Sequence, residues 1–179
     1  KFNKSYVEGT LDLLGSDGRS HPWIRPLGAR TGRMAVSKPP LQQLPSGDPT
    51  IRRMFTADPG MLMGASDYDG VELRVLAALA QEKTMLQAFK DGADLHQMTA
   101  DAARVSRKVG KMANFLTVYG GGPSALAAQA KISVSEARKA LRGFDRAYPG
   151  VKRWASTVQA KAEREGYKVN TVTGRVLPL

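Results

Sequence analysis

Turn-forming residues crowd the start of this chain and then thin out, and this asymmetry restricts the fold more than any other feature. Gly15-Ser16-Asp17-Gly18, the Pro39-Pro40 pair and Pro45-Ser46-Gly47-Asp48-Pro49 break any long helix before residue 60, so short strands and loops are expected there. Residues 61–65 form a brief apolar run suited to a buried strand, and a largely apolar helix is expected over 71–80, with Val71, Leu73, Val75, Leu76 and Leu79. The pattern then stays mostly helical, over 82–90, 96–103, 106–118 and 123–130. Ser133 with Glu136 carries a capping-box signature for a helix to about residue 147, and Pro149 opens another that ends near 166. Residues 167–172 alternate polar and apolar, and Thr173-Gly174 suits a hairpin turn. The reading is α+β: a loop-and-strand lobe followed by a helical one.

Charge separates the same two parts. Residues 1–101 hold 12 basic and 12 acidic side chains and residues 102–179 hold 15 and 4, so the second part carries the whole net charge of +11. A polyanion is the partner to expect, facing the helical part. With no cysteine, disulfides, thiolate zinc sites and cysteine nucleophiles are excluded, and two histidines argue against a histidine-rich metal centre. The apolar runs are far shorter than the roughly 20 residues of a membrane helix. No signal peptide is visible, so a soluble, intracellular, cytoplasmic protein is expected, with no membrane partner. A chain that begins at Lys1 is expected to be processed, trimmed or partial.

Two segments carry the chemistry. Ser66-Asp67-Tyr68-Asp69-Gly70-Val71-Glu72-Leu73-Arg74 places carboxylates where an expected strand turns into a helix. Asp67, at the strand end, suits a hard cation such as Mg²⁺ held against a phosphate oxygen, whereas Glu72 lies in the first helical turn, where the dipole favours its charge. The bland alternative is that Asp67 or Asp69 only caps the helix. The second segment is Arg107-x-x-x-Lys111-x-x-Asn114-Phe115-x-x-x-Tyr119-Gly120. Four residues advance a helix by about 400°, so 107, 111, 115 and 119 share one slowly rotating face. Two cations there can hold a triphosphate, with two rings beyond them for sugar and base. Its alternative puts Phe115 and Tyr119 in the core and leaves the cations as a solvated edge. The run Gly120-Gly121-Gly122 lacks P-loop spacing, and His96 could donate to a phosphate or simply lie at a helix start.

Taken together, these segments resemble the polymerase domain of family A DNA polymerases, the bacterial DNA polymerase I and bacteriophage group. Asp67-Tyr68-x-x-x-Glu72-Leu73-Arg74 resembles that family's motif A, and the Arg107-to-Gly120 segment resembles motif B on the O helix of the fingers. Thr31-Gly32-Arg33, Leu41-Gln42-Gln43-Leu44-Pro45, Asp94-Leu95-His96, Tyr148-Pro149-Gly150-Val151 and Thr173-Gly174-Arg175 fall in the family's order around them.

The resemblance implies a partial palm over 1–80, fingers over 81–148, and a helix and hairpin returning to the palm over 149–179. It implies DNA-directed DNA polymerase activity in replication or repair, on primer-template DNA and deoxynucleoside triphosphates, with two Mg²⁺ ions or alternatively Mn²⁺. Asp67 and the Tyr68 carbonyl would hold metal, and Glu72 and Tyr119 would shape the sugar pocket. Arg107, Lys111 and His96 would hold the triphosphate, with Lys111 able to protonate the leaving pyrophosphate. Phe115 would stack under the sugar. Arg33, Gln42 and Arg175 would touch DNA.

Three departures bear on this. Asp69-Gly70 stands where the family has Ser-Gln, the spacer between His96 and Arg107 is short, and no His-Asp pair occurs, so the motif C carboxylate is expected from a missing C-terminal segment. One side-chain carboxylate holds a metal pair weakly. A fragment or one part of a split enzyme is therefore expected, with a non-catalytic DNA-binding remnant or accessory factor as the alternative. A nucleotide-binding regulator without DNA is a third reading.

Overall fold

The computed structural model describes residues 3–29, 31–45, 49–166 and 168–178. The chain divides into two compact units, 1–66 and 67–179.

In the first unit, short elements follow one another between turns. A π-helical turn over Asn3–Glu8 runs into α1 (Gly9–Leu11), where the Thr10 hydroxyl donates to the Tyr6 carbonyl at 2.6 Å. β1 (Trp23–Arg25) and β2 (Ala35–Ser37) pair antiparallel, with Ile24 opposite Val36. After β2, Leu41–Gln43 makes a 3₁₀ turn, and α2 (Pro49–Arg52) buries Ile51.

The strand expected over residues 61–65 does not form. Met61, Leu62 and Met63 are 69%, 97% and 66% exposed, and no strand among the described residues pairs with them. Apolar composition alone cannot make a strand. Its backbone groups need a hydrogen-bonding neighbour, and without one they stay with water. Asp67 accordingly follows an open segment rather than a buried strand end.

The second unit opens with α3 (Val71–Ala80), α4 (Lys83–Lys90), α5 (Leu95–Ala103) and α6 (Arg107–Val118). Then come α7 (Pro123–Ala130), α8 (Val134–Ala147) and α9 (Pro149–Arg164), and β3 (Lys168–Asn170) pairs antiparallel with β4 (Val176–Pro178). The starts of four of these helices are written into the sequence. Glu82, Asp94, Ser106 and Ser133 each accept a backbone N–H of the following turn, and Ser133 with Glu136 completes the expected capping box. Pro149 begins α9 where its missing N–H costs nothing.

Two cores hold these helices. Leu73, Leu76, Ala77, Met85, Ala88, Leu95, Phe144, Tyr148 and Val151 form one, in which the Phe144 and Tyr148 rings meet edge-on at 5.0 Å. Ala113, Leu126, Ala137 and Ala140 form the other, whose small side chains let helices approach closely. Gly143 on α8 is the tightest case, since a Cβ there would fall 2.4 Å from the Ala103 Cβ of α5. Any larger residue would push α5 and α8 apart.

A buried carboxylate ties distant parts of this unit together. Glu82, 5% exposed, accepts from the Thr84 N–H at 3.1 Å and the Gly150 N–H at 2.6 Å, so one side chain serves the N-termini of both α4 and α9. Both helix dipoles favour its charge.

Candidate nucleotide site at the start of α5 and along α6

The buried face of α6 is Gly110, Ala113 and Asn114, which turns 107, 111 and 119 outward. Arg107 and Lys111 are exposed, Phe115 is half-buried and Tyr119 is 61% exposed. The Arg-Lys-Phe-Tyr row therefore faces open surface, and the reading that put both rings in the core does not hold. Gly110 lets this happen. A Cβ there would lie 2.6 Å from the His96 carbonyl oxygen, so only glycine lets α6 cross the start of α5 this closely.

That crossing assembles the site. Asp94 caps α5 through the His96 and Gln97 N–H groups at 2.9 and 3.1 Å, and its other oxygen takes the Arg107 Nε–H at 2.6 Å. The Arg107 hydrogen bond holds the Asp94 carboxyl below its ordinary value. Half-buried His96 lies with its ring 5.7 Å from that of Phe115 and its Nδ1 3.0 Å from the Asn114 amide nitrogen. Burial is the main force pushing its pKa down; the Lys111 and Arg107 charges push the same way, against Asp94 and Asp69. His96 therefore stands neutral beside two cations.

The other sequence segment reaches the same place from α3. Gly70, at φ 57°, turns the chain into α3, and no side chain caps that helix, so Asp67 and Asp69 are not its N-cap. The Asp69 carbonyl instead accepts from Arg74 Nε at 2.9 Å. Arg74 also lies over the Phe89 ring at 4.4 Å. A cavity of about 260 Å³ is lined by Asp69, Gly70, Leu73, Arg74, Phe89, Asp94, Leu95, His96 and Arg107, among others. Glu72, in the first turn of α3, accepts a long hydrogen bond of 3.5 Å from the Tyr119 hydroxyl at the end of α6. The two segments thus meet.

His96, Arg107, Lys111, Phe115 and Tyr119 lie along α6 and at the α5 start beside it, and Glu72 meets this row at its Tyr119 end. Asp67 and Tyr68 precede it on exposed chain, with Tyr68 81% exposed. Arg175 is exposed on the β3–β4 hairpin, beside the turn that Gly174 makes at φ 83°. Arg33 and Gln42 belong to the first unit, where the Gln42 amide accepts from the Val36 N–H at 3.2 Å and donates to the Met34 carbonyl at 3.3 Å. Sequence reasoning quoted Asp94 and Asn114 without giving either a role. The signal for Asp94 was its position two residues before His96 at a helix start. Asn114 offered none beyond lying on the buried side of α6.

Hard-oxygen donors such as Asp67 and the Tyr68 carbonyl suit Mg²⁺ in kind. Among the described residues, however, no three His, Asp or Glu side chains gather into a metal-binding group, so the set is short in number. No helix among the described residues is long and apolar enough to cross a membrane.

Residues 1–179 match the profile described as DNA polymerase family A. The chain is 50% identical over 179 residues to the DNA polymerase of Mycobacterium phage L5, covering all of this chain and 30% of that protein. It is 31% identical over 188 residues to the thermostable DNA polymerase I of Thermus aquaticus, covering 98% of this chain and 22% of the relative. A solved structure, the POL domain of Pol1 from M. smegmatis in complex with DNA primer-template and dNTP, matches at a TM-score of 0.79 and 29% identity, over 97% of this chain and 33% of that one. The chain thus spans about a third or less of these relatives. With residues 1–179 of this chain all matched by the family profile, and the two motif-bearing segments meeting at one junction, the chain belongs to DNA polymerase family A.

Proposed function

We propose that this chain supplies the nucleotide-binding fingers and part of the palm of a DNA-directed DNA polymerase, adding deoxynucleotides to a primer 3′-hydroxyl. The observation that carries the reading is the approach of Tyr119 to Glu72 at 3.5 Å, which joins the end of the cationic, aromatic helix to the acidic turn. On this reading residues 1–80 are partial palm, 81–148 are fingers, and 149–179 return to the palm.

Each residue then has a task that its surroundings support. Arg107 and Lys111 bind triphosphate oxygens; Lys111 makes no ion pair among the described residues, whereas Arg107 must share its guanidinium between Asp94 and phosphate. His96 donates to a phosphate oxygen as a neutral ring, and Phe115, half-buried against it, offers a face to the sugar. Glu72 and Tyr119 together floor the sugar pocket. Arg33, Gln42 and Arg175 contact the duplex, Gln42 by exchanging its hold on the β2 backbone. Asp67 and the Tyr68 carbonyl would hold Mg²⁺, which when bound stabilises the entering and leaving oxygens of an in-line displacement. On the same reading Lys111 gives a proton to the leaving pyrophosphate.

Among the described residues too few donors gather at Asp67 to hold a pair of ions, and on this reading the remaining carboxylate comes from the polymerase segment that bears motif C. The test is primer extension with Mg²⁺. We expect extension when this chain is joined to such a segment, and a fall of about 10²–10⁴-fold in the single-turnover rate for Lys111→Ala in the joined enzyme, the range of general-acid contributions. An unchanged single-turnover rate would refute the role of Lys111, and absence of extension by the joined enzyme would favour a DNA-binding remnant.

A further inference from the structure

Asn114 is fully buried on the inner face of α6, a costly place for an amide unless it does something. Its Nδ2 lies 3.4 Å from the Leu95 carbonyl oxygen and 3.0 Å from His96 Nδ1, while its Oδ1 has no hydrogen-bond partner among the described residues. The two assignments of an amide are hard to tell apart by shape, so the surroundings must decide which end faces which neighbour. Here they do. A carbonyl oxygen only accepts, so the group facing Leu95 must be the NH₂. The alternative would set two carbonyl oxygens against each other at 3.4 Å, a repulsive contact in a buried place.

Leu95 itself cannot turn away to suit another arrangement. The Thr99 hydroxyl lies 2.9 Å from its oxygen and the buried Tyr148 hydroxyl 3.4 Å from it. The carbonyl is pinned at the start of α5 from three sides.

An NH₂ group has only hydrogens to offer. The nitrogen of His96 that faces it must therefore be the bare one, and the ring's single proton lies on Nε2, at the opposite edge. We infer that Asn114 is a positioning residue that holds His96 as the Nε2–H tautomer, so that the ring presents a fixed N–H donor to a phosphate oxygen. Phe115, the next residue, packs on the same ring at 5.7 Å and helps to hold its plane. The phosphate part of this inference rests on the proposed nucleotide site; the tautomer does not.

The charged groups around His96 are Asp94 at the α5 cap, Arg107 and Lys111 on α6, and Asp69 before α3. None of them is the group bonded to Nδ1. Burial and the two cations oppose a second proton, which agrees with a neutral ring held by a neutral amide.

The test uses the chain labelled with ¹⁵N-histidine. It has two histidines, so a His21→Gln variant assigns the spectrum. Long-range proton–nitrogen correlations at neutral pH should show His96 protonated on Nε2, and a majority Nδ1–H ring would overturn the inference. Asn114→Asp puts a carboxylate, which only accepts, against Nδ1; the proton should then move to Nδ1 and the His96 titration midpoint should rise. An unchanged tautomer and midpoint in a folded Asn114→Asp variant would also overturn it, and the wild-type measurement decides the matter if that variant fails to fold. Addition of Mg²⁺–dATP should shift the wild-type Nε2 resonance and bind about tenfold more weakly to Asn114→Asp, the scale of one hydrogen bond to a charged group. An Nε2–H ring that ignores the nucleotide would uphold the positioning role and sink the triphosphate reading alone.

Discussion

His96 is the residue whose protonation decides what the junction offers an anion. Burial holds its pKa below the ordinary 6.5, so the folded chain favours the neutral ring. The sign follows from linkage: the unfolded chain binds the proton more readily, so the full contribution is present above about pH 6.5 and is lost as pH falls from there through the lowered folded value. We expect wild type to lose stability relative to His96→Gln over that window, in denaturant titrations at a series of pH values; parallel curves would contradict it. Asp94 runs the same way at lower pH. Its Arg107 hydrogen bond depresses its pKa from 3.8, so that contribution fades as acid drives the carboxyl through its folded value, with solvent screening keeping it small. The surface row on α6 could be read from four-residue spacing alone. The partners of His96 could not, because Asn114 lies 18 positions away and reaches it only through the close crossing at Gly110.

At the scale of elements, α4, α5, α6 and α8 begin where a local side-chain cap starts them. Caps act within three residues, so Asp94, Ser106 and Ser133 could be recognised in the chain itself. Glu82 is different. One of its oxygens makes a local cap, but the other closes a bond to Gly150 across 68 positions, and no pattern in the chain announces that. Removing a buried carboxylate that satisfies two helix starts costs more than losing an exposed cap. We expect Glu82→Ala to destabilise the chain by about 2 kcal/mol, the usual range for hydrogen bonds to a charged group, measured by chemical denaturation. A change below about 0.5 kcal/mol, the scale of a surface substitution, would show that α4 and α9 do not depend on it. Residues 61–65 mark the opposite failure. Their apolar content reads as a strand, yet exposure of 97% at Leu62 shows that content without a pairing neighbour leaves the run open.

Across the whole molecule the charge is lopsided, with 15 basic and 4 acidic side chains after residue 101. If that surplus meets nucleic-acid phosphates, binding releases counterions, and affinity must fall steeply with salt. Duplex affinity of this chain should weaken at least about tenfold between roughly 50 and 200 mM salt, by fluorescence anisotropy, whereas a flat response would argue against the phosphate contacts. Family membership, through the likeness of its ordered motifs, and the α+β class were legible in the order of residues, because motifs and helix or turn signals act within a few turns. Tertiary structure alone decided that Asn114 would face His96, that Glu82 would reach Gly150, and that the apolar run before Asp67 would stand without a strand partner among the described residues. These depend on which surfaces pack together, and packing joins residues whose separation along the chain carries no local signal.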